Sequence, residues 1–408
     1  MKQLLFAAGI FLACCVSYMT GLRYVGSGDT RPSELLPISL LTEGNFNLSE
    51  FREDASLKYY YLENAGALYS AYSPVPALLN TVTFAAASLV NVNLYRHRKQ
   101  LSLITSAAIS AAAASLLFLV LRQLGISGSW ALIGTALFAF GTTMWSVSSR
   151  GLWQHGPAVM FLHAGLYTLL RRAYPAAGLA LGLCVASRSQ CLLLAAPLLI
   201  LESVRLWRTD RMKAAGLVCG FLLPLALLEY YFCAVLGRPL YFLQGGVHGL
   251  SGFGGNILVG LTGLIFNPSR GLFVFSPFLA LGLYSALKNI RHQPGQLNAL
   301  LIGAAGLLFL TASWQIWWGG HSFGYRIISE VSSPLIMALI FDLNQKTSRT
   351  LTALTAAAFA WSLWVHYLGA YIYPCGWNDR PEPIGAGSKR LWSVQHSEIT
   401  ACMRKLSR

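Results

Sequence analysis

The sequence predicts an all-α polytopic membrane protein, a bundle of about eleven transmembrane helices with amphipathic helices in its first outer loop. Three observations carry this expectation. Hydrophobic residues make up 55% of the 408 positions and charged residues only 11%, against about 25% charged in soluble domains. The mean hydropathy is +0.53. At roughly 20 residues per crossing, that apolar content supplies about ten or eleven spans. Continuous apolar runs such as Ala176 to Val185 and Leu192 to Leu201 are unlike the alternating segments of a membrane β-barrel.

Taken in order, Lys2 and the apolar stretch 4–20 have the form of a signal peptide, and the stretch is read as a retained first span. Further spans are expected at about 100–121, 129–147, 157–170, 175–187, 190–206, 214–236, 271–288, 298–317, 327–343 and 351–373. Residues 74–94 are apolar but open on Pro74 and Pro76 and carry Asn80, Asn91 and Asn93. If they do not cross, eleven Lys and Arg fall in the short loops of one side against eight in the short loops of the other, Arg96, Arg98 and Lys99 included, which is the asymmetry of the positive-inside rule. Residues 74–94 are therefore read as interfacial or re-entrant. The bundle spans 1–373, with a first outer loop at 21–73 and a Gly-rich outer loop at 238–270. An outer tail, 374–408, is too short for a core of its own. No internal repeat of the transporter kind is visible.

The net charge of +15 raises the question of nucleic acid, but the basic residues flank apolar runs. They read as orienting charges that meet anionic headgroups, so membrane lipids are expected partners and nucleic acid is not. Six of the eight cysteines lie in apolar runs and no spacing suggests a zinc site. A Cys375–Cys402 disulfide stays open.

Several residues near the outer span ends can carry chemistry. Asp29, in Gly28-Asp29-Thr30, suits a general base at the membrane surface, or else an Asx turn or cap on the helix begun by Pro32. Glu34, Glu43, Glu50, Glu53 and Asp54 read as solvated faces of amphipathic helices. Arg188 sits between two apolar runs with little room for a loop. It is either a snorkelling arginine or a phosphate ligand, for which a guanidinium fork is suited. Arg326 closes the stretch Trp317-Trp318-Gly319-Gly320-His321-Ser322-Phe323-Gly324-Tyr325-Arg326. Its aromatics fit an interfacial belt or the stacking of a sugar. His155, after Trp153-Gln154, is a further titratable group, or a structural histidine. The glycines between Arg238 and Arg270 match no nucleotide-binding loop and read as a lid or a plain loop.

Together these segments resemble the GT-C superfamily of membrane glycosyltransferases that use polyprenyl-phosphate sugars, including aminoarabinose, mannosyl and pilin arabinosyl transferases. The resemblance rests on Gly28-Asp29-Thr30, Ser187-Arg188, the run from Leu264 to Leu272 with Phe275-Ser276-Pro277, and the Trp317 to Arg326 stretch. It implies inverting transfer of a single sugar from a polyprenyl-phosphate donor to a protein, lipid or glycan acceptor. Asp29 maps onto the base, and Arg188, Arg326 and Arg270 onto the holders of the donor phosphate. His155, Trp153, Trp318, His321 and Tyr325 map onto sugar or acceptor contacts. No metal ligand and no cofactor are assigned, and a divalent metal is not excluded. The expected location is a bacterial inner membrane, N-terminus cytoplasmic and C-terminus periplasmic. A transporter or flippase of a lipid-linked sugar is the alternative.

Overall fold

The computed structural model describes residues 2–54, 61–241, 249–346, 348–385 and 388–407. Helix α1 (Lys2–Met19) leads into a 3₁₀ turn at Gly28–Thr30 and then α2 (Arg31–Thr42), which Pro32 opens with its pre-set φ. A hairpin of β1 (Tyr61–Asn64) and β2 (Ala67–Ser70) pairs Tyr61 with Ser70. After it come α3 (Val75–Leu89) and α4 (Leu94–Gln123), the longest helix described. The body continues through α5 (Gly128–Phe140), α6 (His155–Leu170), α7 (Tyr174–Ser187), α8 (Leu192–Trp207) and α9 (Arg211–Leu236). It closes with α10 (Ile257–Phe266), α11 (Leu272–Phe275), α12 (Phe278–Lys288), α13 (Gly295–Ala312), α14 (Ser332–Gln345) and α15 (Arg349–Tyr367), and the tail ends in α16 (Glu398–Leu406).

This is a multi-pass membrane protein. Among the described residues seven helical segments are long and apolar enough to cross, including Lys2–Leu22, Leu94–Gln123 and Arg349–Ile372. Five more apolar helices have only 10–17 residues, so about eleven full-length crossings is not what the helix lengths show. The expected span at 271–288 is broken: α11 stops before Pro277, whose ring cannot continue a helix, and α12 restarts beyond it. The stretch 238–270 is not all loop, because Asn256 caps α10 by accepting from the Leu258 and Val259 amides. Gly245 and Gly246 lie outside the described residues. Large side chains such as Leu5, Val82, Leu227 and Ile302 are exposed on the bundle surface, as expected where lipid replaces water.

Helices α7 and α9 pack closely through glycines four apart on each, Gly178 and Gly182 on α7 and Gly216 and Gly220 on α9. An added Cβ at Gly178 meets the Leu217 carbonyl oxygen at 2.0 Å, and one at Gly220 meets the Pro175 carbonyl oxygen at 2.3 Å. Small residues at this spacing let two membrane helices approach backbone to backbone. Gly178→Ala is therefore expected to cost at least about 1–3 kcal/mol by overpacking, read as a lower melting temperature of the purified protein. An unchanged melting temperature would contradict this packing.

The first loop stays at one end of the bundle. The Val25 amide donates to the Arg150 carbonyl at 2.7 Å and the Trp153 indole to the Val25 carbonyl at 3.2 Å. Asn80 of α3 donates to the Ser33 carbonyl and to Ser102 of α4, both at 2.8 Å. Glu34, expected on a solvated face, is instead fully buried: Tyr24 and Thr30 donate to its carboxylate, with Arg31 and Arg98 beside it at 3.4 and 3.8 Å. Burial pushes its carboxyl above the ordinary range against those donors and cations. At the opposite end Lys288 pairs with Asp342 at 2.9 Å. All eight cysteines, Cys375 and Cys402 included, are free.

Candidate active site

At the end that holds the first loop, a cavity of about 470 Å³ opens among Asp29, Tyr72, His155, Arg188, His321 and Arg326, within the usual range for small-molecule sites. Its other wall is apolar and includes Phe232, Phe253, Leu310 and Trp314.

Local sequence positions each polar group. Ser27 accepts from the Asp29 amide at 3.2 Å and closes the 3₁₀ turn, so the Asp29 carboxylate is not used as a helix cap. It reaches across the cavity instead. Arg326 Nη1 donates to Asp29 Oδ2 at 2.7 Å and the Tyr72 hydroxyl to Oδ1 at 3.0 Å. The Asp29 side chain stays 28% exposed. Burial raises its pKa, but the Arg326 guanidinium and the Tyr72 hydrogen bond more than offset this and hold it below the ordinary carboxylate value.

Arg326 is fixed from three sides. Its Nη2 donates to the Gly319 carbonyl at 2.6 Å, and its guanidinium carbon lies 4.1 Å from the centre of the Trp153 ring, a cation–π arrangement. The turn that delivers that carbonyl has Gly319 at φ +77° and Gly320 at +65°, a region costly for residues with a Cβ. This accounts for glycines after the two tryptophans.

Arg188 caps α7 in an extended conformation and is only 5% exposed, so it does not snorkel. Its Nη1 donates to Glu330 Oε2 and its Nη2 to the Ile327 carbonyl, both at 2.7 Å. Glu330 also takes His155: Nδ1 lies 2.8 Å from Oε1. Two charge pairs, Asp29–Arg326 and Glu330–Arg188, thus share one wall with His155 between them.

Not every expected site residue meets the cavity. Arg270 is almost wholly buried behind it, where Nη1 donates to the Ser322 carbonyl at 2.7 Å, Nη2 to the Gly320 carbonyl and Asn378, and Glu398 of the tail pairs with it. That network spends its charge on holding the 320–322 turn and the tail. Burial pushes the Glu398 carboxyl up to about 7 against the pull of Arg270. Tyr325 is buried with its hydroxyl on Ser276 at 2.7 Å, and Trp318 packs on Trp317. Trp153 acts from beneath Arg326 rather than from the cavity surface. His321 does line the mouth and pairs with Asp379 at 2.7 Å.

Tyr72 and Glu330 were not singled out from the sequence. Glu330 had a legible signal, a carboxylate inside an apolar run four residues after Arg326. Tyr72 had none.

No family model and no curated protein matches the chain. Solved structures do. ArnT from Cupriavidus metallidurans bound to undecaprenyl phosphate aligns over 88% of this chain and 62% of its own, with TM-score 0.58 and 13% identity. The chain has the GT-C fold. The apo state of the same ArnT gives TM-score 0.57 at 14% identity, over 87% of this chain and 62% of that one. The oligosaccharyltransferase of Archaeoglobus fulgidus tethered with an acceptor peptide is more distant, at TM-score 0.49 and 13% identity over 90% and 55%. The chain spans about three-fifths of the length of ArnT.

Proposed function

We propose that this protein is an integral membrane glycosyltransferase that moves a single sugar from a polyprenyl-phosphate donor to an envelope acceptor, with inversion. The observation that carries the reading is an Asp29 carboxylate facing Arg326 and Arg188 across one cavity, in a GT-C fold whose neighbour ArnT holds undecaprenyl phosphate. The donor arrives with an activated anomeric carbon. The protein must orient an acceptor hydroxyl, take its proton and stabilise the phosphate that leaves. Asp29 serves as the base and the two arginines hold the phosphate, with His321 at the acceptor mouth. The apolar wall takes the first isoprene units. No metal or cofactor is assigned. Loop charge orients the N-terminus to the cytoplasm and the site to the periplasmic face of a bacterial inner membrane. Turnover of a polyprenyl-phosphate sugar by the purified protein with candidate protein, lipid and glycan acceptors tests the reading. Movement of the intact lipid-linked sugar across vesicles without transfer would replace it by a flippase.

Arg326→Lys keeps the charge but loses the fork that spans Asp29 and Gly319. Affinity for undecaprenyl phosphate is expected to fall by about tenfold or more, about 1.4 kcal/mol, at unchanged net charge. Equal binding by the Lys variant would remove Arg326 from the donor site.

A further inference from the structure

The charges around the cavity cancel before any donor enters. Asp29 and Arg326 are 2.7 Å apart, Glu330 and Arg188 are 2.7 Å apart, and with His155 neutral the five side chains sum to zero. A donor phosphodiester adds one negative charge to a site walled by apolar side chains, where an uncompensated charge is costly. Two histidines line the cavity, His321 at its exposed mouth on Asp379 and His155 between the two charge pairs, and the second is placed to answer it. His155 lines the cavity, and its Nδ1 is held by Glu330 at 2.8 Å. Burial and the Arg188 charge pull the imidazole down to about 4, against the pull of Glu330, and keep it neutral before a donor enters; that carboxylate on one ring nitrogen supports a proton on the other once an anion faces it.

We propose that binding of the donor phosphate draws a proton from water onto His155, so that an imidazolium stands beside the leaving phosphate. The idea rests on the donor reading above. Its consequence is chemical. As the acceptor oxygen bonds to the anomeric carbon, the bond from that carbon to the phosphate oxygen breaks. Its electron pair goes to that oxygen, the acceptor proton goes to Asp29, and the phosphate charge grows from −1 to −2. The imidazolium compensates the charge that grows. His155 is thereby a charge-balancing group and not only a hydrogen-bonded histidine.

The groups facing His155 are Glu330 and Arg326 from the turn before α14, Arg188 from the end of α7, and Asp29 from the first loop. The thiols of Cys184 and Cys191 lie near the same ion pair. Helix α4, packed against α6, carries no ionisable side chain between Leu101 and Leu121. Protonation is thus set by the two charge pairs and the incoming phosphate.

The test uses the full-length protein and undecaprenyl phosphate. The second pKa of a phosphate monoester is about 6, so between pH 7.5 and 9 the lipid no longer titrates. Over that range the wild-type affinity is expected to fall as pH rises, by up to about tenfold per unit, the limiting slope for uptake of one proton. His155→Gln keeps a hydrogen-bonding partner for Glu330 and cannot take up the proton, so its affinity is expected to be flat. Parallel slopes in the two folded proteins would overturn the proposal. Should the variant not fold, calorimetry of the wild type in two buffers of different ionisation enthalpy decides: about one proton taken up at pH 8 supports it, and none overturns it. A folded wild-type protein that binds no undecaprenyl phosphate at all removes the donor reading itself, and this inference with it.

Discussion

Asp29→Asn is expected to lower sugar transfer by about 10²-fold or more, the usual loss when a general base is removed, while folding and undecaprenyl phosphate binding persist. Asn keeps one oxygen to accept from Arg326, and its Nδ2 can donate to the Tyr72 hydroxyl, so the geometry of the first loop survives. What it cannot do is take a proton. Because Arg326 and Tyr72 hold the Asp29 carboxyl below its ordinary value, the acid limb of wild-type activity that belongs to Asp29 lies below the ordinary carboxylate range. The depressed pKa also has a stability consequence. The Asp29–Arg326 pair contributes above the unfolded value and is lost as pH falls through the folded one. Transfer rates compared across the two proteins, with lipid binding as the control, check the assignment. Full transfer by the Asn variant would move the base to another group of the cavity, such as His155.

Glu330→Leu is expected to destabilise the protein by about 3–5 kcal/mol, the range for removing one partner of a buried ion pair. Glu330 is fully buried and answers both Arg188 and His155. Without it a guanidinium remains in an apolar wall and an imidazole loses its orientation. The cost lies in the orphaned charge rather than in the lost contact, so Arg188→Met added to Glu330→Leu is expected to recover part of the stability. Thermal unfolding of both variants in detergent measures this. A double variant no more stable than the single one would show that the pair is not coupled as described.

Much of the molecule was legible before the structure. Membrane class followed from composition alone, since so few charges spread over so many apolar residues leave no solvated surface for a soluble domain. Asp29, Arg188 and Arg326 stood out for the same reason: each is an ionisable group where burial is costly, and such groups are kept for a partner or a ligand.

What the chain could not announce was pairing. Glu34 looked solvated because it reads as the polar face of an amphipathic helix, yet Tyr24 and Thr30 cover it and Arg31 and Arg98 flank it. Arg270 looked like Arg188, an arginine at a span end, and only Glu398 and Asn378, more than a hundred residues later, turn it into a brace for the tail. Asp29 finds Arg326 across 297 residues and Arg188 finds Glu330 across 142. Sequence sets which side chains must be neutralised, because desolvation is a property of the residue and its immediate run. Which partner neutralises each is decided by how the helices cross, and that depends on close approaches such as Gly178 on Leu217, which no local pattern of charge or hydropathy encodes.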